Sequence, residues 1–304
     1  MNSHAALKTG LAAATATMVK KDPNSPALLV TGRDSIAIKA GTIYAGVTFD
    51  KDTPVVFDIP LEPGCDYVVV IKDGAVGYAH LTSPIVGDDI LGGFHFAPGG
   101  SAAARKGGDE IPAINPYSLW DLSFRPVCPD PRGMVLVDAP TGKFWCDIYL
   151  LGVSHVADGT SKLGATIADG DDPPAKPNGK HFSKLDYDTA VAVMKHHGKG
   201  LLSVEEFFAA ALGVTEKTAH SSNPRVTALD APRTSKFGLM QATGNMWVWG
   251  HDGDPDEPRA SFFGGSWLYV VYAGSRYADV ACVWPDSSDD NLGARGRCDH
   301  LQLA

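Results

Sequence analysis

Ser261-Phe262-Phe263-Gly264-Gly265-Ser266-Trp267 opens, and Gly293-Ala294-Arg295-Gly296-Arg297-Cys298-Asp299-His300 closes, the stretch whose reading decides the fold. Its ends have the character of fixed framework: paired glycines, Trp267, the Gly274-Ser275-Arg276 step and the Gly293-Ala294-Arg295-Gly296 exit. Between them Leu268, Tyr269, Val271, Tyr272, Tyr277, Asp279, Ala281, Val283 and Asp286 follow neither a 3.6-residue nor a two-residue period. Fixed points with arbitrary residues between them describe a binding surface rather than a packed element.

The bulk composition sets the frame. A chain of 304 residues with 44% hydrophobic content can build a sizeable core, roughly two domains' worth. A formal net charge of -9 disfavours nucleic acid and anionic membrane as partners, because both select a basic face. No apolar run reaches the roughly eighteen residues of a membrane span. Leu11 to Val19 is mildly apolar, but it lacks the basic start and cleavage site of a signal peptide. The five cysteines, Cys65, Cys128, Cys146, Cys282 and Cys298, are odd in number and form no C-x-x-C pair. Reduced, partly buried thiols are expected rather than a disulfide framework or a zinc site.

Upstream, the period changes to two. Ile36 and Ile38, then Ile43, then Val47 and Phe49 keep a two-residue spacing, and Val55-Val56-Phe57 and Tyr67-Val68-Val69-Val70-Ile71 follow. Lys72-Asp73-Gly74-Ala75 sets Asp-Gly between two strand-like runs, the favoured type I′ hairpin signal. Pro54, Pro60, Pro63 and Gly64 punctuate the gaps. Residues 31–110 are therefore expected to form a β-sandwich, preceded by a segment, 1–30, of no clear structure. The Gly/Ala-rich run from Pro98 to Gly108 is expected to be a linker or long loop.

Every tryptophan lies beyond residue 110. In that half two helices are legible. One runs from about Tyr187 to His197, with Asp186 or Asp188 as cap and Gly198 as left-handed stop. The other, Ser203 to Leu212, carries a Ser203/Glu206 capping box and a Leu202–Phe207 staple, with Gly213 ending it. His196 and His197 fall in the last turn of the first helix, where a positive charge suits the dipole, and no carboxylate stands at ligand spacing. The 251–258 loop has alternating acids like a calcium loop. Phe263 occupies the position of the bidentate Glu, so a solvated acidic loop is expected. No nucleophile elbow, P-loop, H-E-x-x-H or dinucleotide fingerprint occurs. No catalytic residue, metal or cofactor is assigned.

These blocks carry a resemblance. Gly198 to Phe207, Gly244-Asn245-Met246-Trp247-Val248-Trp249, Gly264-Gly265-Ser266-Trp267 and Gly293-Ala294-Arg295 resemble the C-type-lectin-like fold of the formylglycine-generating-enzyme type. Within it, the chain is most similar to the variable proteins of diversity-generating retroelements. Ser118-Leu119-Trp120-Asp121, Asp130-Pro131-Arg132-Gly133-Met134, Asp147 to Val153, Asp158 to Lys162 and the upstream Gly92 to Gly99 extend the similarity. The fold so implied is α+β: an N-terminal β-sandwich, then a C-type-lectin-like domain over 111–304 with a variable region at 264–300. In the family a β-prism module precedes the sandwich, and the resemblance implies that this sequence begins where such a module ends. The variable stretch is one residue longer than in the family near Val283-Trp284-Pro285.

The resemblance also implies an origin for the aperiodic stretch. In such systems adenines of a template are miscopied, mostly at AAC codons, giving NNC codons that cannot encode Trp, Lys, Gln, Met or Glu. Between Gly264 and His300 no Lys, Gln, Met or Glu occurs, although all four are found elsewhere in the chain. Ser266, Leu268, Tyr269, Val271, Tyr272, Tyr277, Asp279, Ala281, Val283 and Asp286 are then the expected variable, ligand-binding positions. Gly264, Gly265, Trp267, Arg276, Trp284 and Arg295 are their expected scaffold, both tryptophans on codon grounds. The implied function is a trimeric, tropism-determining receptor-binding protein at a phage tail-fibre tip that recognises a bacterial surface protein. A variable adhesin on a bacterial surface is the alternative. An oxidase of the formylglycine-generating type would need a reactive pair from Cys282 and Cys298.

Overall fold

The computed structural model describes residues 18–82, 89–99, 110–140 and 142–301. Most of the expected linker, and most of the segment weighed as a signal peptide, lie outside the described residues. Strands β1 (Leu28–Val30) and β2 (Ile36–Ile38) pair antiparallel, and β2 also pairs with β5 (Thr53–Pro54). Between them β3 (Thr42–Tyr44) and β4 (Val47–Phe49) form a hairpin. Here the two-residue period is offset from the expected one: Thr42 and Tyr44 are buried, while Ile43 faces outward. Alternation decides the face, so burying the Tyr44 ring exposes Ile43.

Strand β6 (Asp66–Lys72) runs through the Asp73-Gly74 turn into β7 (Ala75–His80). Asp73 and Gly74 take φ of 51° and 78°, the two positive values a type I′ turn requires, and Lys72 pairs with Ala75. On its other edge β6 pairs with β8 (Ile90–Ala97), a strand buried along its whole length. β8 in turn pairs with β9 (Ala113–Ile114) and β10 (Trp120–Asp121). Gly92 and Gly93 make the last contact possible. A Cβ at Gly92 would stand 2.2 Å from the Trp120 carbonyl oxygen, and one at Gly93 would stand 2.6 Å from the Trp120 ring. Leu28, Ile38, Tyr44, Tyr67 and Phe94 fill the core these strands share.

The rest of the chain is built on two further sheets. In the first, β11 (Met134–Ala139) pairs with β12 (Gly142–Asp147). The short α1 (His155–Asp158) and then α2 (Tyr187–His196) follow. Asp186 caps α2 by accepting from the Thr189 N–H at 2.9 Å, and Gly198 at φ 68° lies just beyond its end. Strand β13 (Leu202–Ser203) leads directly into α3 (Val204–Ala210), whose Ser203/Glu206 capping box is complete. The second sheet orders β13, β14 (Trp247–His251), β15 (Ala260–Phe263) and β16 (Ala278–Asp279), with β17 (Leu292–Gly293) beside β14. The last strand, β18 (Arg297–Asp299), returns to β12.

Phe207 of α3 stacks on Phe263 of β15 at 5.0 Å between centroids, within a core that includes Val135, Phe144 and Met240. Burial of a side chain of this size contributes about 1.5–3 kcal/mol. Glu206 also forks onto Arg297, tying α3 to β18. The architecture is mostly β with few helices, a coarser result than the α+β expectation. Among the described residues no helix is long and apolar enough to cross a membrane.

Candidate functional site

The ends of the aperiodic stretch are held from beneath. Gly264 and Gly265 adopt φ of 89° and 75°, in the left-handed region. Both carbonyls accept from the Gly244 N–H at 3.0 Å. A Cβ on Gly265 would lie 2.2 Å from the Tyr272 carbonyl oxygen, so only glycine lets the 270–272 turn settle there. Trp267 packs beside Leu150, Met246 and Val248, and its backbone N–H donates to the Asn245 carbonyl at 3.0 Å. Arg295 is 1% exposed. Its guanidinium donates to the carbonyls of Asp147, Ile148, Met240 and Gln241 at 2.6–3.3 Å. Burial lowers its pKa, but a guanidinium stays charged in a protein, and the carbonyl oxygens solvate it.

Asp147 supports the same exit strand. One carboxylate oxygen accepts from the Gly296 N–H at 3.1 Å, and the other meets the Lys199 ammonium at 2.6 Å. Lys199 also donates to Thr160. Burial opposes the Lys199 charge, but Asp147 together with Cys128 and Asp130 outweighs it and holds the ammonium above its ordinary range.

Above this frame the chain is exposed. Leu268, Tyr269, Val271 and Tyr272 stand between 48% and 61% exposed around a single 3-10 turn, Val270–Tyr272. The chain then crosses to β16, which the sequence did not disclose. Ala278 pairs with Phe263 and turns toward the core, so Asp279, paired with Phe262, faces the other way. On that side lies a cleft of about 470 Å³. Trp247 and Phe262 supply aromatic floor from β14 and β15, and Leu292 and Asn291 close its base. Tyr269, Tyr272, Tyr277 and Asp279 line it as well, together with Ser287 and Asp289. Tyr272 and Tyr277 meet edge to face at 6.2 Å.

Several expected roles change with this placement. Ser266 is fully buried rather than receptor-facing: it bridges Asn245, and its hydroxyl accepts from the Leu268 N–H at 3.4 Å. Val283 is half-buried against the core near α2. Ala281 is half-buried at φ 56°, while Asp286 is exposed. Trp284, expected as fixed scaffold on codon grounds, is 78% exposed. Arg276 is exposed and makes no hydrogen bond or ion pair among the described residues. Codon logic excludes Trp284 from one route of variation; it says nothing about burial. The exposed Val270, Val280 and Cys282 were missed, although they sit in the same aperiodic stretch. Trp247, Phe262 and Asp289 were missed because framework strands and a polar loop give no sign that they converge on one cleft.

Elsewhere the candidate ligand groups are occupied by one another. The five cysteines are free thiols, and burial pushes Cys146 up to about 12. His197 bonds to His155 at 2.8 Å rather than standing open. Asp252 of the acidic loop pairs with Arg259 at 2.9 Å. Among the described residues no group of His, Cys, Asp or Glu is arranged to hold a metal ion.

Comparison with known proteins agrees with this picture. Residues 26–121 match the family model described as the Mtd second domain. The "Tail fiber receptor-binding protein" of Bordetella phage BPP-1 is 40% identical over 336 aligned residues, covering 94% of this chain and 85% of that protein. The solved U1 and I1 variants of the Major Tropism Determinant superpose with a TM-score of 0.84 at 38% and 39% identity, covering 94% of this chain and 86% of each of theirs. With a buried frame, an exposed tyrosine-rich stretch and similarity along most of its length, the chain belongs to the major tropism determinant family of phage tail-fibre proteins.

Proposed function

We propose that the chain is a receptor-binding, tropism-determining protein that grips a bacterial surface protein through the exposed stretch between Leu268 and Asp286. The observation that carries this reading is the convergence of Tyr269, Tyr272, Tyr277 and Asp279 on one cleft above a rigid, buried frame. Tyrosine gives amphipathic contact area at low side-chain entropy cost, and tyrosines at such a centre are the expected hot spots. Replacing Tyr269, Tyr272 and Tyr277 together with alanine tests it. Adsorption to host cells is expected to be lost while the thermal melt stays nearly unchanged. Retained adsorption would sink the proposal.

The finer reading follows the family. Residues 31–110 form the sandwich unit and 111–304 the C-type-lectin-like unit of the formylglycine-generating-enzyme type, with the variable region at 264–300. Retroelement diversification accounts for the stretch free of Lys, Gln, Met and Glu. A near-copy of the coding segment, adenine-bearing at the candidate codons and beside a reverse transcriptase gene, would be its direct sign. The protein acts at a tail-fibre tip on the virion as a homotrimer, where several copies raise weak site affinity by about 10²–10⁴ if they engage together. Light scattering of the purified chain measures that assembly. The relatives' tail-fibre role favours the virion over a bacterial surface. The oxidase reading is disfavoured: Cys298 is buried, with its sulfur accepting from the Cys128 N–H at 3.1 Å, while Cys282 is exposed.

A further inference from the structure

Building on the receptor-binding reading, we propose that the cleft is selective for a cationic side chain, a lysine or arginine that the receptor inserts between the tyrosines and the acidic walls. The composition of the lining points there. It carries five aromatic rings and two carboxylates, Asp279 and Asp289, and no lysine, arginine or histidine. Neither carboxylate makes a hydrogen bond or ion pair through its side chain among the described residues, so both retain their full acceptor capacity. The same holds for the hydroxyls of Tyr269, Tyr272 and Tyr277. Arg276, next to Tyr277 in the chain, is exposed and is not part of the lining.

Aromatic faces attract a cation through their quadrupole, and the attraction grows as water is displaced. Carboxylates add charge-assisted hydrogen bonds, bidentate for a guanidinium. A neutral or acidic side chain would meet the same walls and leave both carboxylates desolvated without a partner. The cleft, about 470 Å³, lies inside the range of roughly 300–1,000 Å³ typical of small-ligand sites, ample for one long side chain. Sheet geometry fixes where the charge stands. Asp279 is the register partner of Phe262 at the outer edge of the sheet, so its carboxylate shares a face with the aromatic floor. Trp247 and Phe262 lie outside the 264–300 variable region, so the aromatic part of the preference for a cation is constant, and position 279 tunes the acidic part.

The probes are four capped pentapeptides, Gly-Ser-X-Ser-Gly, with X as Arg, Lys, Gln or Glu. Each is titrated into the full chain by NMR and by tryptophan fluorescence. The Arg and Lys peptides are expected to bind about tenfold or more tighter than the Gln and Glu peptides and to weaken with added salt. The pair Asp279→Asn with Asp289→Asn, isosteric and at exposed positions, is expected to erase that preference while the melt is retained. Equal binding of the Gln peptide, an unaffected Asn pair, or no binding of any peptide at millimolar concentration each overturns the proposal. Host-cell adsorption separates the two readings. If the tyrosine triple variant loses adsorption and the Asn pair keeps it, only the cation preference falls. If neither variant alters adsorption, the receptor-binding face itself is misplaced.

Discussion

Gly265 lies directly against Tyr272: a Cβ at position 265 would stand 2.2 Å from the Tyr272 carbonyl oxygen. One buried framework glycine thus sets the height of the turn that presents two of the exposed tyrosines. Gly265→Ala is expected to destabilise the fold by about 2 kcal/mol or more, from left-handed strain plus displacement of the turn. Thermal denaturation reads the first effect and host adsorption the second. A variant that melts with the parent would show that the turn yields freely.

Arg295 distributes one guanidinium over four backbone carbonyls from two separate segments, 147–148 and 240–241. A lysine has a single ammonium and cannot span them. Arg295→Lys is expected to cost about 3–5 kcal/mol, because a buried charge and several acceptors lose their partners. Chemical denaturation measures it, and a loss below about 1 kcal/mol would remove Arg295 from the frame.

Ala281 holds φ at 56°, a left-handed position where alanine is strained. Its N–H donates to the Ser261 hydroxyl at 3.1 Å, which any residue preserves. Ala281→Gly or Ala281→Asn is expected to raise stability by about 0.5–1 kcal/mol. A lower melting temperature for both would mean that the methyl group packs usefully.

His155 and His197 give the fold a pH dependence. Ala175 O can only accept, so His155 Nε2 donates to it at 2.7 Å. The His155 Nδ1 lone pair then accepts from His197 Nε2–H at 2.8 Å. Both rings are neutral. Burial lowers each pKa, His197 to about 3 from an ordinary 6.5. As pH falls through 6.5 the unfolded chain takes up protons that the folded chain refuses. The stability present above 6.5 is therefore lost progressively below it, by up to about 1.4 kcal/mol per pH unit for each ring. Melts from pH 7 to pH 5 are expected to fall, and His197→Gln to flatten the slope. A parent slope unchanged by that substitution would locate the titration elsewhere.

Local chemistry carried much of the fold into the sequence. The Asp73-Gly74 hairpin, the Asp186 cap and the Ser203/Glu206 box were legible because each depends on residues within a few positions of one another. Ile43 was misplaced because alternation gives two faces without saying which one turns inward; the Tyr44 ring decided that. Strand β16 was invisible, since two residues have no period of their own and exist as a strand only through pairing with β15.

The site divides along the same line. From the sequence by itself came the aperiodic stretch, the glycines and Arg295 at its ends, and its richness in tyrosine. Tertiary structure alone decided which residues reach solvent. It buried Ser266 in a bridge to Asn245, exposed Trp284 and Arg276, and drew Trp247, Phe262 and Asp289 into one cleft with Tyr269 and Asp279. The physical reason is that burial in an aperiodic loop follows from long-range packing and hydrogen bonding. Neither is written in the order of neighbouring residues, whereas backbone conformation at a glycine or a helix cap is.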